Sequence, residues 1–552
     1  VIVEKILGPS EVLPPEWPVQ GTTGYDFMDQ VNALQHDPSG ELALDELWGD
    51  MCGSAASFDE VETAARQEVL RGAFAGQLAA CAALFADLAH AGLSTRDLTS
   101  ESFRRILVSL IAHLRRYRTY ATGRADGARP DGIFLEAIRL AKESLPADAA
   151  AAEFVVAVLS GGGGNDPSGQ EEVVRRLNQL CAPVAAKAVE DTAFYRYGRL
   201  LSRNDVGFQA GRMAMPAVEF IASGQDRVRN WPKAMLTTAT HDHKRGEDVR
   251  ARLAVLSEIS EEWRVAVQSW LVITAPQRPG VIALDDAYML FQTLVGAWPF
   301  GLASDDAVGL REFGERVALW RIKALREAKV HTSWAAPDTD YEEANVEWLR
   351  RLLDPGQSLP FLRSVGAFVA RIAPAGAINS VVQAALRCAW PGIPDIYQGA
   401  ELWDLSLVDP DNRRPVDFTV RQTLLRDHAA DFPSGAIKQS VIARLLRWRR
   451  DDPALFTIGE LHPVDTRGAR ASHVLAFRRH VDGRSALFAV VLRIAEPCRV
   501  LGSLPSADWW GDTEVFLASG WQKAATLFLG SPVYAEPVPA AASPTRAAEQ
   551  AA

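Results

Sequence analysis

The sequence predicts an α/β fold: a partial (β/α)8 TIM barrel carrying large helical insertions and followed by a C-terminal antiparallel β domain. Three observations predict it. Short β-branched runs end abruptly in polar and charged residues, as barrel strands do where they reach the rim that carries chemistry. Long stretches of helical periodicity separate those runs. Towards the end of the chain the pattern returns to strands around a hairpin signal.

The elements follow in order. Val1–Ile6 reads as a strand that delivers Glu4 and Lys5 to its end. After a turn through Pro14-Pro15, Val19-Gln-Gly-Thr-Thr-Gly24-Tyr-Asp-Phe27 reads as a second strand. From about 40 to 200 the period is helical. Ser57-Phe-Asp-Glu60 spells a capping box ahead of an amphipathic run to about His90, and further helical runs cover roughly 100–120, 131–145 and 169–190. Gly161-Gly-Gly-Gly164-Asn-Asp-Pro167 reads as a flexible loop, because a phosphate cradle would need a strand before its glycines. Ala234–Thr240 returns to strand and ends in His241, Asp242, Lys244 and Arg245. A second helical block, roughly 249–355, places Leu253, Leu256 and Ile259, then Val317, Trp320 and Ile322, on apolar faces. Pro391-Gly-Ile-Pro-Asp-Ile-Tyr397-Gln-Gly399 reads as another strand with a rim loop, and the last long helix as about 436–450. His473–Phe477 and Ala486–Val491 flank Asp482-Gly483, a hairpin turn, and the Ala/Pro-rich end from Glu536 is expected to be disordered. No fixed-period repeat is present. The implied organisation is 1–36 (two barrel strands), 37–230 (helical insertion), 231–248 (strand and rim), 249–378 (helical segment), 379–435 (strand and rim loop), 436–535 (helix and β domain) and 536–552 (tail).

Composition narrows the function classes. The 552 residues are 48% hydrophobic and 23% charged, ordinary for a globular protein with more than one structural unit. A net charge of −11 argues against a nucleic-acid or anionic-membrane partner. No run approaches the ~18 apolar residues of a membrane span. Cys52, Cys81, Cys181, Cys388 and Cys498 are odd in number, scattered and free of C-x-x-C pairs, so neither a zinc site nor a disulfide framework is indicated, and a reducing, cytoplasmic compartment fits best. Fifteen tryptophans suit a sugar-handling protein, although most of them read as packing residues. The chain opens on a strand without Met, which reads as the later part of a longer enzyme.

Two carboxylates on separate strand ends suggest acid/base work on a glycosidic bond. Glu4 is the candidate general acid/base, tuned in opposite directions by neighbouring Lys5 and by burial; a structural salt bridge is its competing role. Asp242 is the candidate transition-state carboxylate. A metal site built from His241, Asp242 and His243 is disfavoured, since successive side chains on an extended strand point to opposite faces. His241 is read as a partner for sugar hydroxyls, and His243 as turned away and structural.

Ile2-Val-Glu-Lys-Ile-Leu7, Gly21-Thr-Thr-Gly-Tyr-Asp-Phe27, Asp191-Thr-Ala-Phe-Tyr-Arg-Tyr197, the run from Thr240 to Arg252 and the run from Pro391 to Asp417 together resemble the maltooligosyl trehalose synthase family, a branch of the α-amylase superfamily. The motifs stand in family order from residue 1 to about 492. The resemblance implies barrel strands five to eight, with Glu4 as acid/base after strand five and Asp242 as the transition-state carboxylate after strand seven. It places Lys244 and Arg245 on the acceptor side, where ordinary helix surface is the alternative. Tyr25 and Asp26 would stack on and bind a sugar or brace the rim. Gln398, Asp411 and Arg413 are placed against substrate, with a loop-locking network of Asp409, Asp411, Arg413 and Arg414 as the alternative. The family's nucleophilic Asp is expected upstream of Glu4, outside the given residues, which would leave this chain inactive alone. The implied reaction is intramolecular transglycosylation of maltooligosaccharides, turning the reducing-end α-1,4 bond into an α,α-1,1 bond. No cofactor or metal is required, and maltooligosyl trehalose trehalohydrolase is the implied functional partner. Plain amylase-like hydrolysis, release of trehalose, and an inactive glucan-binding fragment are the competing readings.

Overall fold

A computed structural model describes residues 1–538 apart from 55, 125–126, 128–129 and 163–165. Four short segments form the axis around which everything else is arranged. Val3 bridges Thr22 in parallel, and Val3 N donates to Gly21 O at 3.0 Å. Met235 N donates to Thr22 O at 3.0 Å, which joins the second segment to β1 (Met235–Leu236). β1 pairs in parallel with β2 (Ile393–Pro394), and Asp395 N continues the ladder to Leu236 O at 2.9 Å. The segments thus lie side by side in chain order, and each delivers its following residues to the same end.

Regular pairing is shorter than the sequence predicts. Only Val3 of Val1–Ile6 is bridged, and the strand expected to run to Phe27 stops at Thr22, because Tyr25–Leu34 is a helix. Two glycines explain the Gly21-Thr-Thr-Gly24 spelling. Gly21 and Gly24 have φ of +139° and +90°, and a Cβ there would lie 2.4 Å from Ala234 Cβ and 2.5 Å from Met235 O. Only glycine lets this turn press against the neighbouring segment.

The first insertion is a helical layer. Phe58–Arg71 starts on the capping box, with Ser57 accepting from Glu60 N and Glu60 from Ser57 N. The amphipathic run to His90 is broken there: Ala75–His90 is a separate helix, bent by 82° from the first. Ser100–His113, Gly132–Ser144, Ala149–Leu159 and Pro167–Ala185 complete the layer around Phe85, Phe103, Ile111, Phe134, Val155 and Leu177. The predicted 100–120 helix ends at His113. Residues 163–165 of the glycine loop lie outside the described residues.

The second block is Glu247–Ala254, Ser260–Thr274, Leu284–Ala297, Ala307–Ala328 and Thr339–Leu352, packed around Trp263, Trp270, Trp298 and Trp348. Pro355–Ala389, kinked at Ser358, then continues through position 378, where a boundary was expected, and links this core to the next. It is long and apolar enough to cross a membrane by length and composition, and most of its apolar stretch is buried inside the fold.

Ala436–Asp451 leads to β3 (Glu460–Pro463), β4 (Thr466–Arg467), β5 (Val474–Val481), β6 (Arg484–Val491), β7 (Glu514–Leu517), β8 (Gly520–Lys523) and β9 (Val533–Val538). They make two antiparallel sheets, β3-β5-β6-β9 and β4-β7-β8. The hairpin at Asp482-Gly483 is as predicted, with both residues at positive φ. Glu536–Val538, expected to open a disordered tail, instead pairs with Ser485–Leu487; the remainder of the tail lies outside the described residues.

A buried ionic cluster fastens the C-terminal helix beneath the segment that carries Asp242. Lys438 Nζ lies 2.5 Å from Glu247 and 2.9 Å from Asp248, Arg387 lies 3.0 Å from Glu247, and the side chains are almost wholly removed from solvent. Lys438→Met would leave two buried carboxylates short of compensation, so urea unfolding should show a loss of roughly 3–5 kcal/mol. A loss below about 1 kcal/mol, the usual worth of a surface pair, would show that the cluster is solvated.

Candidate active site

Glu4 is exposed at the end of the first segment, and among the described residues its side chain has no hydrogen bond or ion pair. Lys5 does not tune it as a salt-bridge partner. Its ammonium is buried and donates to Ile6 O at 2.7 Å and to Glu11 at 2.6 Å. Burial lowers the Lys5 pKa, opposed mainly by Glu11.

After β1, the turn Thr240–Gly246 sorts its side chains by environment. His241 is exposed, Asp242 is 39% exposed in its side chain, and His243 is buried. His243 accepts from Thr240 N at 3.2 Å, meets Ser406 Oγ at 3.1 Å and packs edge-on to Tyr397. The two histidines therefore face different surroundings, as expected of a structural His243. Asp205, fully buried, holds the turn: it accepts from Lys244 N at 2.9 Å and Arg245 N at 3.4 Å and pairs with Arg250 at 2.6 Å.

Lys244 and Arg245 are neither helix surface nor an open rim. Arg245 is 2% exposed, stacks over Trp320 at 5.8 Å and has its charge disfavoured by burial, which lowers its pKa to about 10. Lys244 has a 3% exposed side chain and lies 3.3 Å from Asp191 and 3.6 Å from Asp242. Burial alone would lower its pKa; Tyr195, Asp191, Asp242 and Glu190 outweigh that and raise it. Both cations follow the strand inward because Asp205 pins their amides.

Tyr25 is buried and donates to Thr240 Oγ1 at 3.4 Å. Its hydroxyl is pushed up to about 12, by burial first and then by the charges of Asp242, Glu4 and Asp205. The charges of both candidate carboxylates thus act at this one hydroxyl. Asp26 is ion-paired with Arg227 and accepts from Thr22 Oγ1 at 3.2 Å, so its carboxylate braces the second segment.

The loop after β2 closes over the turn. Gln398 is exposed. Asp411 is consumed within the protein: Arg316 grips both its oxygens at 3.0 and 2.9 Å, Leu407 N donates at 2.9 Å and Arg414 lies at 3.0 Å. That is the loop-locking role rather than a substrate contact. Arg413 is half exposed, pairs with Asp409 at 2.7 Å and donates to His241 O at 3.2 Å. Asn412, which sequence reasoning passed over, is the buried clamp, donating to His241 O at 3.2 Å and His243 O at 3.4 Å.

Sequence reasoning assigned no role to the acids of the first insertion. Ala186–Ala193 is a π-helical turn carrying Glu190 and Asp191. Glu190 hydrogen-bonds Tyr117, and burial, with Asp242 and Asp191, raises its pKa to about 7. Glu190 lines a cavity of about 790 Å³ bounded by Ile6, Gly8, Phe194 and Gln209; Asp191, Glu4 and Asp242 do not line it. Asp205 stands in an Arg203-Asn-Asp205 spelling, yet its burial and its partners leave it unable to attack a substrate.

No protein-family model matches the chain. A Mycobacterium tuberculosis protein, provisionally named a maltooligosyl trehalose synthase, is 35% identical over 97% of this chain and 65% of its own length. The solved maltooligosyltrehalose synthase of Arthrobacter ramosus superimposes with a TM-score of 0.80 at 32% identity, over 97% of this chain and 66% of that one. The solved DSM5389 glycosyltrehalose synthase gives 0.72 at 29% identity, over 97% and 63%.

The chain is a homologue of the maltooligosyl trehalose synthases. It spans about 65% of the length of the curated relatives it matches. As a maltooligosyl trehalose synthase homologue it shares their fold through both helical blocks and the C-terminal sheets, and the resemblance read from the Gly21–Phe27 and Pro391–Asp417 motifs is correct.

Glu190 yields a pH prediction. Its carboxyl binds a proton more tightly folded (about 7) than unfolded (about 4.5), so its contribution is full below pH 4.5 and is lost as pH rises through 7. Glu190→Gln should therefore flatten the fall in unfolding free energy across that window. An unchanged slope would show that Glu190 is solvated and ordinary.

Proposed function

We propose that this chain provides the acid/base and the transition-state carboxylate of a (1→4)-α-D-glucan 1-α-D-glucosylmutase acting on maltooligosaccharides. In this reading the four parallel segments are strands five to eight of a (β/α)8 barrel. Its support is that Glu4 lies on the first and Asp242 after the third of the adjoining parallel segments, with the charges of both acting at the Tyr25 hydroxyl, in a homologue of maltooligosyl trehalose synthases. The nucleophile belongs to the part of the family's length that this chain does not span.

The nucleophilic carboxylate attacks the anomeric carbon of the reducing-end linkage while Glu4 gives its proton to the departing glycosidic oxygen. Asp242 stabilises the oxocarbenium-like charge, with His241 beside it for sugar hydroxyls. The freed glucose stays bound, turns, and attacks the glycosyl-enzyme through its anomeric hydroxyl as Glu4, now a base, takes the proton of that hydroxyl. The product is an α,α-1,1 linkage with no net change in atoms, and retaining glucose requires water to be excluded. A trehalohydrolase that consumes this product is the functional partner we assign, and the cytoplasm the compartment.

Glu4→Gln in the complete gene product should abolish conversion of maltopentaose to a non-reducing product without changing the melting temperature. The amide keeps the shape and cannot cycle a proton. Asp242→Asn should lower kcat by about 10²–10³ or more, since it removes charge aimed at the transition state. Near-normal turnover in either variant would remove that residue from the mechanism. Glucose and shortened maltooligosaccharides without trehalosyl product would favour the hydrolase reading.

A further inference from the structure

We infer that Lys244 is a positioning residue for Asp242, and that Asp191, on the π-helical turn of the first insertion, holds Lys244 in the place from which it acts. The inference rests on the reading of Asp242 as the carboxylate that stabilises the transition state. Its observation is a bridge: the Lys244 ammonium stands 3.3 Å from Asp191 and 3.6 Å from Asp242, on a side chain 3% exposed. Among the described residues, Lys244 is the only partner of the Asp242 side chain. Asp242 is joined to the fold elsewhere through its backbone amide, which donates to Thr240 Oγ1 at 3.2 Å.

Asp191 is built for this place. A π-helical turn admits one extra residue per hydrogen-bonded ring, and such turns recur at functional sites. Asp191 departs from helical geometry there, with φ −109° and ψ 18°. The turn is tied internally by Thr192 Oγ1 to Lys187 O at 2.8 Å and from outside by Lys329, which donates to Asp191 O and Thr192 Oγ1 at 2.9 Å each. Lys187, more than half exposed, occupies Asp191 Oδ2 at 2.5 Å, while Lys244, buried, lies beside Oδ1. Asp191 thus joins a solvent-side cation to an interior one. On the other side, Asp205 fixes the Lys244 amide, so both ends of the lysine are held.

A cation held at both ends leaves the carboxylate it faces fewer orientations, and catalytic charge is effective only when oriented before reaction. Glu190 and Tyr195 also contribute to the field at Lys244 and help keep it charged. The Asp191–Tyr197 motif gains a role by this route. It lies far from the strands in sequence yet reaches Asp242 through a single lysine.

The test is a set of variants of the complete gene product assayed on maltopentaose. Lys244→Met should lower kcat roughly tenfold or more with KM within about twofold, because orientation, not binding, is lost. Asp191→Asn should lower kcat in the same direction. The double variant should be no worse than Lys244→Met, since Asp191 acts through the lysine. Lys244→Arg, which keeps the charge, should recover part of the loss. Unchanged kcat in Lys244→Met, or independent effects of the two substitutions, overturns the proposal. So does a kcat loss accounted for entirely by unfolded protein at the assay temperature. If Lys244→Met does not fold, Asp191→Asn and Lys244→Arg decide: wild-type kcat in both overturns it. Asp242→Asn separates the two levels, because turnover in that variant sinks the reading of Asp242 itself, whereas a dead Asp242→Asn beside an active Lys244→Met sinks only the positioning role.

Discussion

The arrangement of the site depends on one buried carboxylate. Asp205 is fully buried and takes the amides of Lys244 and Arg245, its neighbour Val206 N and the Arg250 guanidinium. Removing a carboxylate from water costs several kcal/mol even after the protein relaxes, and that cost is met only when its lone pairs are filled. Here they are filled by the backbone of the turn that follows β1. The turn has no other way to satisfy those amides so deeply, so its path is fixed. That path leaves Asp242 partly open and directs Lys244 and Arg245 inward.

A second layer makes the same point over longer distances. Glu247, Asp248, Arg387 and Lys438 form a closed set of opposite charges under the turn, drawn from three helices. Such sets add little net stability compared with well-packed apolar groups, but they tolerate only one registry. Pro355–Ala389 and Ala436–Asp451 are thereby keyed to Glu247–Ala254. Asn412 then clamps the carbonyls of His241 and His243 from the loop after β2. Buried polar groups thus spend their hydrogen bonds on placing the one segment that carries Asp242.

Much of the architecture was legible in the sequence because it is local. The capping box at Ser57, the Asp482-Gly483 hairpin and the periodicity of the helical blocks each depend on residues within a few positions of one another. Strand lengths were overestimated for a physical reason. A β-branched lead-in such as Ala234–Thr240 satisfies a strand pattern whether two residues pair or seven, and what limits β1 is its neighbours. Gly21 and Gly24 were visible as a motif, but their close approach to Ala234 and Met235 joins positions more than two hundred residues apart. At the site, Glu4 and Asp242 were legible as strand-end carboxylates. Glu190 was not, and Asp191 entered only as the first residue of a motif without a role, because a π-helical turn leaves no mark in hydrophobic periodicity.

The run from His243 to Arg252 shows where composition misleads. His-Lys-Arg-Gly-Glu-Asp-Val-Arg-Ala-Arg reads as the solvated start of a helix, and every one of these residues is buried. A helix start favours acids, and Glu247 and Asp248 meet that rule, yet their partners are Arg387 and Lys438 rather than the helix terminus alone. Arg252 instead donates to the carbonyls of Val295, Gly296 and Trp298 and stacks on Phe300. Glu247, Asp248, Arg250 and Arg252 are answered by groups roughly forty to nearly two hundred residues distant, and Arg245 lies over the Trp320 ring, so no window of sequence contains the compensation. A charged stretch is a surface only when nothing elsewhere in the chain answers it; here Asp205, Arg387, Lys438 and the carbonyls of Val295, Gly296 and Trp298 answer it, and the outcome is a polar core beside the candidate catalytic carboxylate.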